Sequence, residues 1–527
     1  MITTRKRQTL KYAAIVVVLL IVQFALRSYN ITVQGAFVDE GRHNERAVEV
    51  WQFTENPGQI SQGKLLLYYW LGLFEGDRLT SLLVSRTAIA LFSLITGAVV
   101  YRLARQFGNY QTGILALLVY CFFPLALFHE RLAFADPFAG GITCLVAWRS
   151  IVFGKRPTLR EGMILGLLLA LATLAKLTIV LLPVLPVVAT IIYYPMQTGT
   201  FRTKVLGWMR DCLPGLCAAA AVMILLWLPI LIPAYLASKT DHPFILVNSN
   251  NIVTSGIGPT TSFDYLITLF TTMNDFAGAL FFAGVGLAII VLLVRGIRSQ
   301  PAQLESVMFL LFWAALLISA MLGFAAGADA RYMVPLAAPM VILLACGIGS
   351  LWAALRTITR WRRLVRTTLV VAIVAWLVTF AVPFSYFSLT DPTRLPLHDQ
   401  SYWLYISGQA TADTTTQTVI QMLNAPNFDA GAVYGDQIMC YVLYFYVQRH
   451  INCLDDGDIN PQLPGVIQAN AGQSIDFVVK GDETPPQAVD GTCLTRIVHL
   501  NRDTAPAIDI WQLTQNPCAV QQQTLGQ

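Results

Sequence analysis

Apolar runs of roughly 20 residues, the length a helix needs to cross the hydrocarbon core of a bilayer, recur through the first 390 residues of this 527-residue chain. They rule out a soluble globular fold. Hydrophobic residues make up 55% of the chain and charged residues only 12%, whereas a soluble domain is about a quarter charged. The pattern predicts a mainly α, polytopic helical bundle of about 11 spans: Lys11–Leu26, Leu79–Leu103, Thr112–Phe128, Pro137–Phe153, Glu161–Ala175, Thr178–Tyr194, Asp211–Leu236, Asp275–Val294, Leu304–Phe324, Tyr332–Leu355 and Thr367–Ser385. The run from Glu161 to Tyr194 is too long for one helix and carries Lys176 at its middle, so it is broken there into a short hairpin.

Charge divides the chain in two. Met1–Thr390 holds 30 Lys and Arg against 16 Asp and Glu, a net +14, while Asp391–Gln527 holds 5 against 14, a net −9. A basic membrane part followed by an acidic, apolar-poor tail predicts a transmembrane domain at 1–390 and a soluble domain at 391–527. Short loops rich in Lys and Arg mark the cytoplasmic face. They gather at the N-terminal cluster, Arg102 and Arg105, Lys155 to Arg160, Arg202 and Lys204, Arg295 and Arg298, and Arg356 to Arg363. The N-terminus is therefore expected in the cytoplasm, its first apolar run being a retained anchor, since no small-residue cleavage site follows it. An odd span count puts the tail outside the cell membrane.

Cysteine usage agrees with that side. Cys121, Cys144, Cys212, Cys217 and Cys346 lie in apolar runs, whereas Cys440, Cys453, Cys493 and Cys518 all fall in the tail. Four cysteines in an oxidising compartment predict two disulfides with three possible pairings. Cys453–Cys493 with Cys440–Cys518 is the favoured set, because the first two flank strand-like runs. The tail reads as a small α/β domain, with helices at Gln417–Leu423 and Gln437–Val447 and strands at Gly431–Tyr434, Ile475–Val479, Leu494–His499 and Ile508–Leu513. No internal repeat or low-complexity segment is present.

Charged residues on the external face carry the chemistry. The acidic pair Asp39-Glu40 opens the first external loop, in which Glu45–Trp51 and Leu65–Leu73 read as helices lying in the interface plane. One of these carboxylates is placed to act as a general base on an acceptor hydroxyl; the ordinary alternative is a solvated or helix-capping carboxylate. Lys64 and Arg331, at the ends of external segments, are placed to bind the phosphate of a lipid-linked substrate, or simply to snorkel to headgroups. Lys176 is costly to bury and so is a functional candidate. In the short loop between two spans, Glu130, Arg131 and Asp136 could shape a site, or Arg131 could pair internally with Asp136 or Asp39. His43 and His129 lie near carboxylates and could hold a divalent metal, yet no ligand spacing supports one.

At these residues the chain resembles the polytopic glycosyltransferases of the GT-C fold, in particular the protein O-mannosyltransferase and aminoarabinose-transferase group. Asp39-Glu40 corresponds to that group's acidic pair, and Lys64-Leu65-Leu66-Leu67-Tyr68-Tyr69-Trp70 to its Lys/His-Pro-Pro-Leu-Tyr-Tyr-Trp segment. Arg131 to Asp136 matches its second external loop, Leu174-Ala175-Lys176 its Leu-Thr-Lys, and Arg331-Tyr332-x-x-Pro335 its Arg-Tyr-x-x-Pro turn. The resemblance implies transfer of a hexosyl or pentosyl group from a polyprenyl-phosphate sugar to a glycan, lipid or protein acceptor outside the cytoplasm. It implies Asp39, with Glu40 and Asp136, as the catalytic carboxylates. Lys64, Lys176, Arg331 and Tyr332 would hold the donor phosphate, and His43, Tyr68, Glu130 and Arg131 would line or support the acceptor side. No cofactor and no nucleic-acid partner are expected. Leu65-Leu66 replaces Pro-Pro and Ala175 replaces Thr, and the Ala237–Asn274 loop is too short for the extra domain of the eukaryotic mannosyltransferases. Two other functions compete: a transporter or lipid-linked sugar flippase, which would place charges at mid-bilayer on interrupted helices, and an assembly protein that presents its tail as a binding module.

Overall fold

A computed structural model of the chain describes residues 2–53, 63–74, 78–195, 200–237, 261–298, 300–324, 330–354 and 362–398, and, in the tail, 414–426, 428, 431–454, 459–480, 485–487, 489, 491–501 and 507–515. It forms two compact units. One comprises Met1–Ile31, Arg46–Phe74 and Ser85–Ser401, the other Thr32–Glu45, Glu75–Val84 and Tyr402–Gln527.

The first unit is a helical membrane bundle. Eight of the described helices are long and apolar enough to cross a membrane, and the shorter apolar segments Tyr110–Phe122 and Leu177–Tyr193 accompany them. In chain order the helices are α1 (Ile2–Ser28), α2 (Val38–Gln52, begun in the other unit), α3 (Leu65–Gly72), α4 (Arg78–Phe107), α5 (Tyr110–Phe122), α6 (Pro124–His129), α7 (Ala135–Lys155), α8 (Leu159–Ala175), α9 (Val184–Tyr193), α10 (Phe201–Ala237), α11 (Thr261–Ala277), α12 (Ala279–Arg298), α13 (Pro301–Phe324), α14 (Ala337–Ala354), α15 (Arg362–Trp376) and α16 (Val382–Thr390). The α7 span and the span formed by α14 with the turn before it are the enclosed centre, each 78% buried, while α1 presents most of its apolar surface outward.

Without a hydrophobic drive between helices in lipid, close packing by small residues decides who neighbours whom. Gly162 and Gly166, four apart on α8, meet Gly215 and Ala219, four apart on α10. A Cβ on either α8 glycine would lie within 2.3 Å of a backbone oxygen of the facing helix. Gly347 of α14 likewise sits against Ala288 of α12. Local signals set the helix ends. Asn109 caps α5 by accepting from the amides of Gln111 and Thr112, and Thr158 caps α8 by accepting from Glu161. The span expected from Asp275 is divided instead: α11 ends at Ala277, and Gly278, at φ +76°, turns the chain into α12. Asp275 therefore closes a helix rather than opening one.

A buried ion pair ties α1 to the α6–α7 loop. Arg27 is fully enclosed and donates through Nε to Glu130, while its other nitrogens donate to the carbonyl oxygens of Tyr120 at 3.2 Å and Cys121 at 3.1 Å. Glu130 also accepts from the Tyr120 hydroxyl at 2.6 Å.

The second unit is the expected α/β domain around a five-stranded sheet. Its strands are β1 (Ala432–Gly435), β2 (Ile451–Cys453), β3 (Ile475–Lys480), β4 (Cys493–Leu500) and β5 (Ile508–Thr514), in the order β2-β1-β3-β5-β4. β1 runs parallel to β2 and β3, and β5 antiparallel to β3 and β4. Central β3 is buried on both faces. Ile475, Phe477 and Val479 face α19 (Leu463–Ala469), and Val478 faces α17 (Thr414–Asn424) and α18 (Gln437–Leu443). The four expected strands are present within a residue or so of their expected bounds; β2 and α19 escaped notice because each is very short.

The favoured cysteine pairing is corrected. The disulfide joins Cys440 to Cys453, and Cys493 is disulfide-bonded to a partner outside the described residues. The sheet order explains this. Cys453 ends edge strand β2 and Cys493 begins the opposite edge strand β4, four strand spacings away, or about 19 Å at roughly 4.8 Å each, well beyond the reach of a disulfide. Cys453 instead lies in register with Gly435, one turn from Cys440 at the start of α18.

Peptide mapping without reduction should recover Cys440 linked to Cys453; a Cys453–Cys493 peptide would contradict this strand order. Arg27→Ala should cost about 3–5 kcal/mol by leaving Glu130 buried without its charge partner, read as a lowered melting temperature in detergent. The double change Arg27→Met with Glu130→Leu should recover most of that loss.

Candidate active site

In the membrane unit the sequence-selected residues assemble around the break in the long apolar run. α8 ends at Ala175, Lys176 is extended (φ −160°, ψ +116°), and a single 3-10 turn, Leu177–Ile179, follows. The break falls where expected, and the surrounding chain satisfies it. The Leu177 amide, which continuing α8 would have used, donates to Gly63 at 2.9 Å. Gly63 adopts φ +74°, a conformation that suits glycine, and delivers Lys64 to the start of α3 beside the Lys176 segment. α3 is fixed in turn by Trp51, whose indole donates to Tyr69 and packs on Gly72, and Tyr68 is fully buried.

Lys176 is 6% exposed and pairs with Asp136, itself 4% exposed, in the first turn of α7. Its ammonium also lies 4.4 Å from the centre of the Tyr332 ring. Tyr332 belongs to the 3-10 segment Ala330–Leu336, whose Pro335 packs on Gly140 of α7. The adjoining Arg331 places its guanidinium 5.3 Å from the rings of both Tyr332 and Phe134. Such cation–aromatic contacts contribute about 0.5–2 kcal/mol each. A small cavity here is lined by both polar and apolar side chains, among them Asp136, Lys176 and Tyr332 and Ile179, Leu317, Ala320 and Met321. Charge and apolar surface meet at one point.

Two residues expected to join Asp136 do other work. Among the described residues Arg131 pairs with no carboxylate, Asp136 included. It donates to the carbonyl oxygens of Leu26, Tyr29 and Asn30 at 2.8–3.0 Å, capping the end of α1. Burial, with Arg86 and Arg27 nearby, pushes its guanidinium down to about 9. Glu130 holds Arg27, and burial pushes its carboxyl up despite that partner and the Tyr120 hydroxyl. Arg27 and Arg86, which donates to Ile31, are supports that sequence reasoning missed. A lone arginine at the end of an apolar run reads as snorkelling, and nothing in the sequence identifies its buried partner.

Asp39, Glu40 and His43 belong to the second unit, in the first turns of α2. The helix begins earlier than the expected Glu45, so the acidic pair occupies its first turn. The two carboxylates are not equivalent. Glu40 is fully buried and accepts from the Phe37 amide at 2.9 Å, capping the helix, whereas Asp39 is half-buried. His43 is buried, and His129 bonds through Nδ1 to the Leu125 carbonyl of its own helix. Among the described residues no group of three or more His, Cys, Asp and Glu side chains is placed to hold a metal ion.

No protein-family model matches this chain, and no curated protein matches its sequence. Its backbone does match solved structures. ArnT from Cupriavidus metallidurans bound to undecaprenyl phosphate superposes with a TM-score of 0.56 at 15% identity, covering 94% of this chain and 97% of that one. The Archaeoglobus fulgidus oligosaccharyltransferase in complex with Zn and sulfate superposes with a TM-score of 0.53 at 13% identity, covering 88% of this chain and 68% of the other. Near-complete coverage at such low identity establishes architecture: the chain is a polytopic membrane protein with the GT-C fold.

Proposed function

We propose that the protein is an integral membrane glycosyltransferase that moves a sugar from a polyprenyl-phosphate donor to an acceptor on the extracytoplasmic side of the cell membrane. One observation supports the reading: polar Asp136, Lys176 and Tyr332 and apolar Leu317, Ala320 and Met321 line one cavity, with Arg331 next to Tyr332 in the chain and Lys64 next to Gly63, whose carbonyl oxygen accepts from Leu177. A polyprenyl-phosphate sugar needs both kinds of lining, because its phosphate is water-soluble and its chain is not. The ArnT structure that shares the fold contains undecaprenyl phosphate, which supports this class of donor.

The residues divide the work as follows. Asp39 takes the proton of the acceptor hydroxyl as its oxygen attacks the sugar's anomeric carbon. The bond from that carbon to the phosphate oxygen breaks, and the polyprenyl phosphate leaves with the electron pair. Arg331 and Lys64 stabilise the charge that develops on it. Asp39 is chosen over Glu40 because it is the half-buried member of the pair, the one an acceptor can reach, whereas Glu40 is fully buried. Lys176 is neutralised by Asp136, so this pair sets the position of Tyr332 and adds little net charge for the phosphate. Replacing a buried ion pair with packed apolar groups is often neutral or stabilising; the pair is therefore kept for the site's geometry. In this reading the membrane domain lies within residues 1–390, with the N-terminus cytoplasmic, and 391–527, in one unit with Thr32–Glu45 and Glu75–Val84, form the extracytoplasmic domain. The sugar, hexosyl or pentosyl, and the acceptor, glycan, lipid or protein, are for experiment to name.

Purified protein in nanodiscs, given undecaprenyl-phosphoryl mannose or undecaprenyl-phosphoryl aminoarabinose with a membrane extract as acceptor, should release undecaprenyl phosphate. Asp39→Asn should slow that release on the order of 10²–10⁴-fold while still binding undecaprenyl phosphate, and Glu40→Gln should be milder. The reverse ranking would assign the base to Glu40. Arg331→Ala and Lys64→Ala should each lose about 1.5–3 kcal/mol of undecaprenyl-phosphate affinity, roughly tenfold to a hundredfold. Unchanged affinity in both would reduce the cations to membrane anchors.

A further inference from the structure

The segment that carries the acidic pair is built into the soluble domain. Thr32–Glu45 belongs to the same compact unit as the tail, and three contacts within that unit hold it. The Ala36 amide donates to the Tyr446 hydroxyl at 2.8 Å. Gly41 presses on α18 so closely that a Cβ there would stand 2.1 Å from the Tyr441 carbonyl oxygen. Ala36 and Leu82 are buried with Tyr444 and Phe445, and Tyr446 packs against that cluster. The mount is itself anchored. Asn424 of α17 donates to the Tyr446 carbonyl oxygen and accepts from Gln448, and the Cys440–Cys453 disulfide fastens the start of α18 to β2.

We propose that the soluble domain is the mount of the catalytic carboxylate, and that Tyr446 is a positioning residue which sets Asp39 through the Ala36 amide. This rests on Asp39 being the general base. The chain enters α2 through residues 36 and 37, and Glu40 folds back on the Phe37 amide. The direction of the first turn, and so of Asp39, is therefore fixed by what holds Ala36 and Gly41. A general base works only within hydrogen-bond reach of its proton, so loosening this entry slows chemistry without touching the groups assigned to donor binding.

Tyr446→Phe removes the hydroxyl and keeps the ring. Turnover of the undecaprenyl-phosphoryl sugars should fall roughly tenfold with KM for the donor and melting temperature unchanged. Gly41→Ala, which forces the first turn off α18, should fall roughly a hundredfold, the scale of a 1 Å misplacement. Hydrogen–deuterium exchange at residues 36–42 supplies a readout independent of activity. Faster exchange in Tyr446→Phe together with a kcat-only loss supports the proposal. Unchanged exchange overturns the mount. Faster exchange with full turnover, while Asp39→Asn is inactive, overturns the positioning role. If Asp39→Asn is itself fully active, the base assignment fails and the positioning role with it, whereas the exchange data still judge the mount.

Discussion

A backbone amide inside a bilayer must find its partner within the protein, so a membrane helix can be interrupted only where neighbouring segments supply those partners. The site depends on that constraint at Lys176. α8 stops there because Gly63 accepts the amide of Leu177 and Asp136 meets the ammonium. Those two contacts recruit the start of α3 and the first turn of α7. Tyr332 lies beneath the same ammonium, which brings in the 3-10 segment that carries Arg331. One broken helix thus collects three other segments of the chain.

The ionic groups fall into two kinds. Arg27 with Glu130, and Arg131 on the end of α1, have their bonding filled by the protein and serve as fasteners. Arg331 instead faces the rings of Phe134 and Tyr332, the latter lining the cavity.

Much of the membrane unit was legible because lipid permits few solutions. A lysine amid thirty apolar residues had to mark a break, whereas the Arg331-Tyr332-x-x-Pro335 turn was legible only through its resemblance, the apolar pattern having started a span at Tyr332. Partners were not legible. Arg131 lies five residues from Asp136 and so suggested an ion pair, but its planar fork of donors suits the carbonyl oxygens at the end of α1 and was taken up there. The disulfide was misassigned because strand order is a long-range property: β2, only three residues long, takes the edge next to β1 and removes Cys453 from the neighbourhood of Cys493. The resemblance singled out Asp39 within the acidic pair; that Glu40 folds back to the Phe37 amide could not be read from the sequence. That Thr32–Glu45 belongs to the second unit has no sequence signal. It rests on Gly41 and Ala36 meeting residues some four hundred positions later.

The central claim is that Arg331 and Lys64, beside Tyr332, receive a lipid phosphate. The direct measurement is a structure of the protein in nanodiscs at saturating undecaprenyl phosphate. The account predicts phosphate density within hydrogen-bond reach of the Arg331 guanidinium, with the chain running along the wall formed by Leu317, Ala320 and Met321. Phosphate bound at any other face, or no bound lipid at concentrations that saturate turnover, would contradict it.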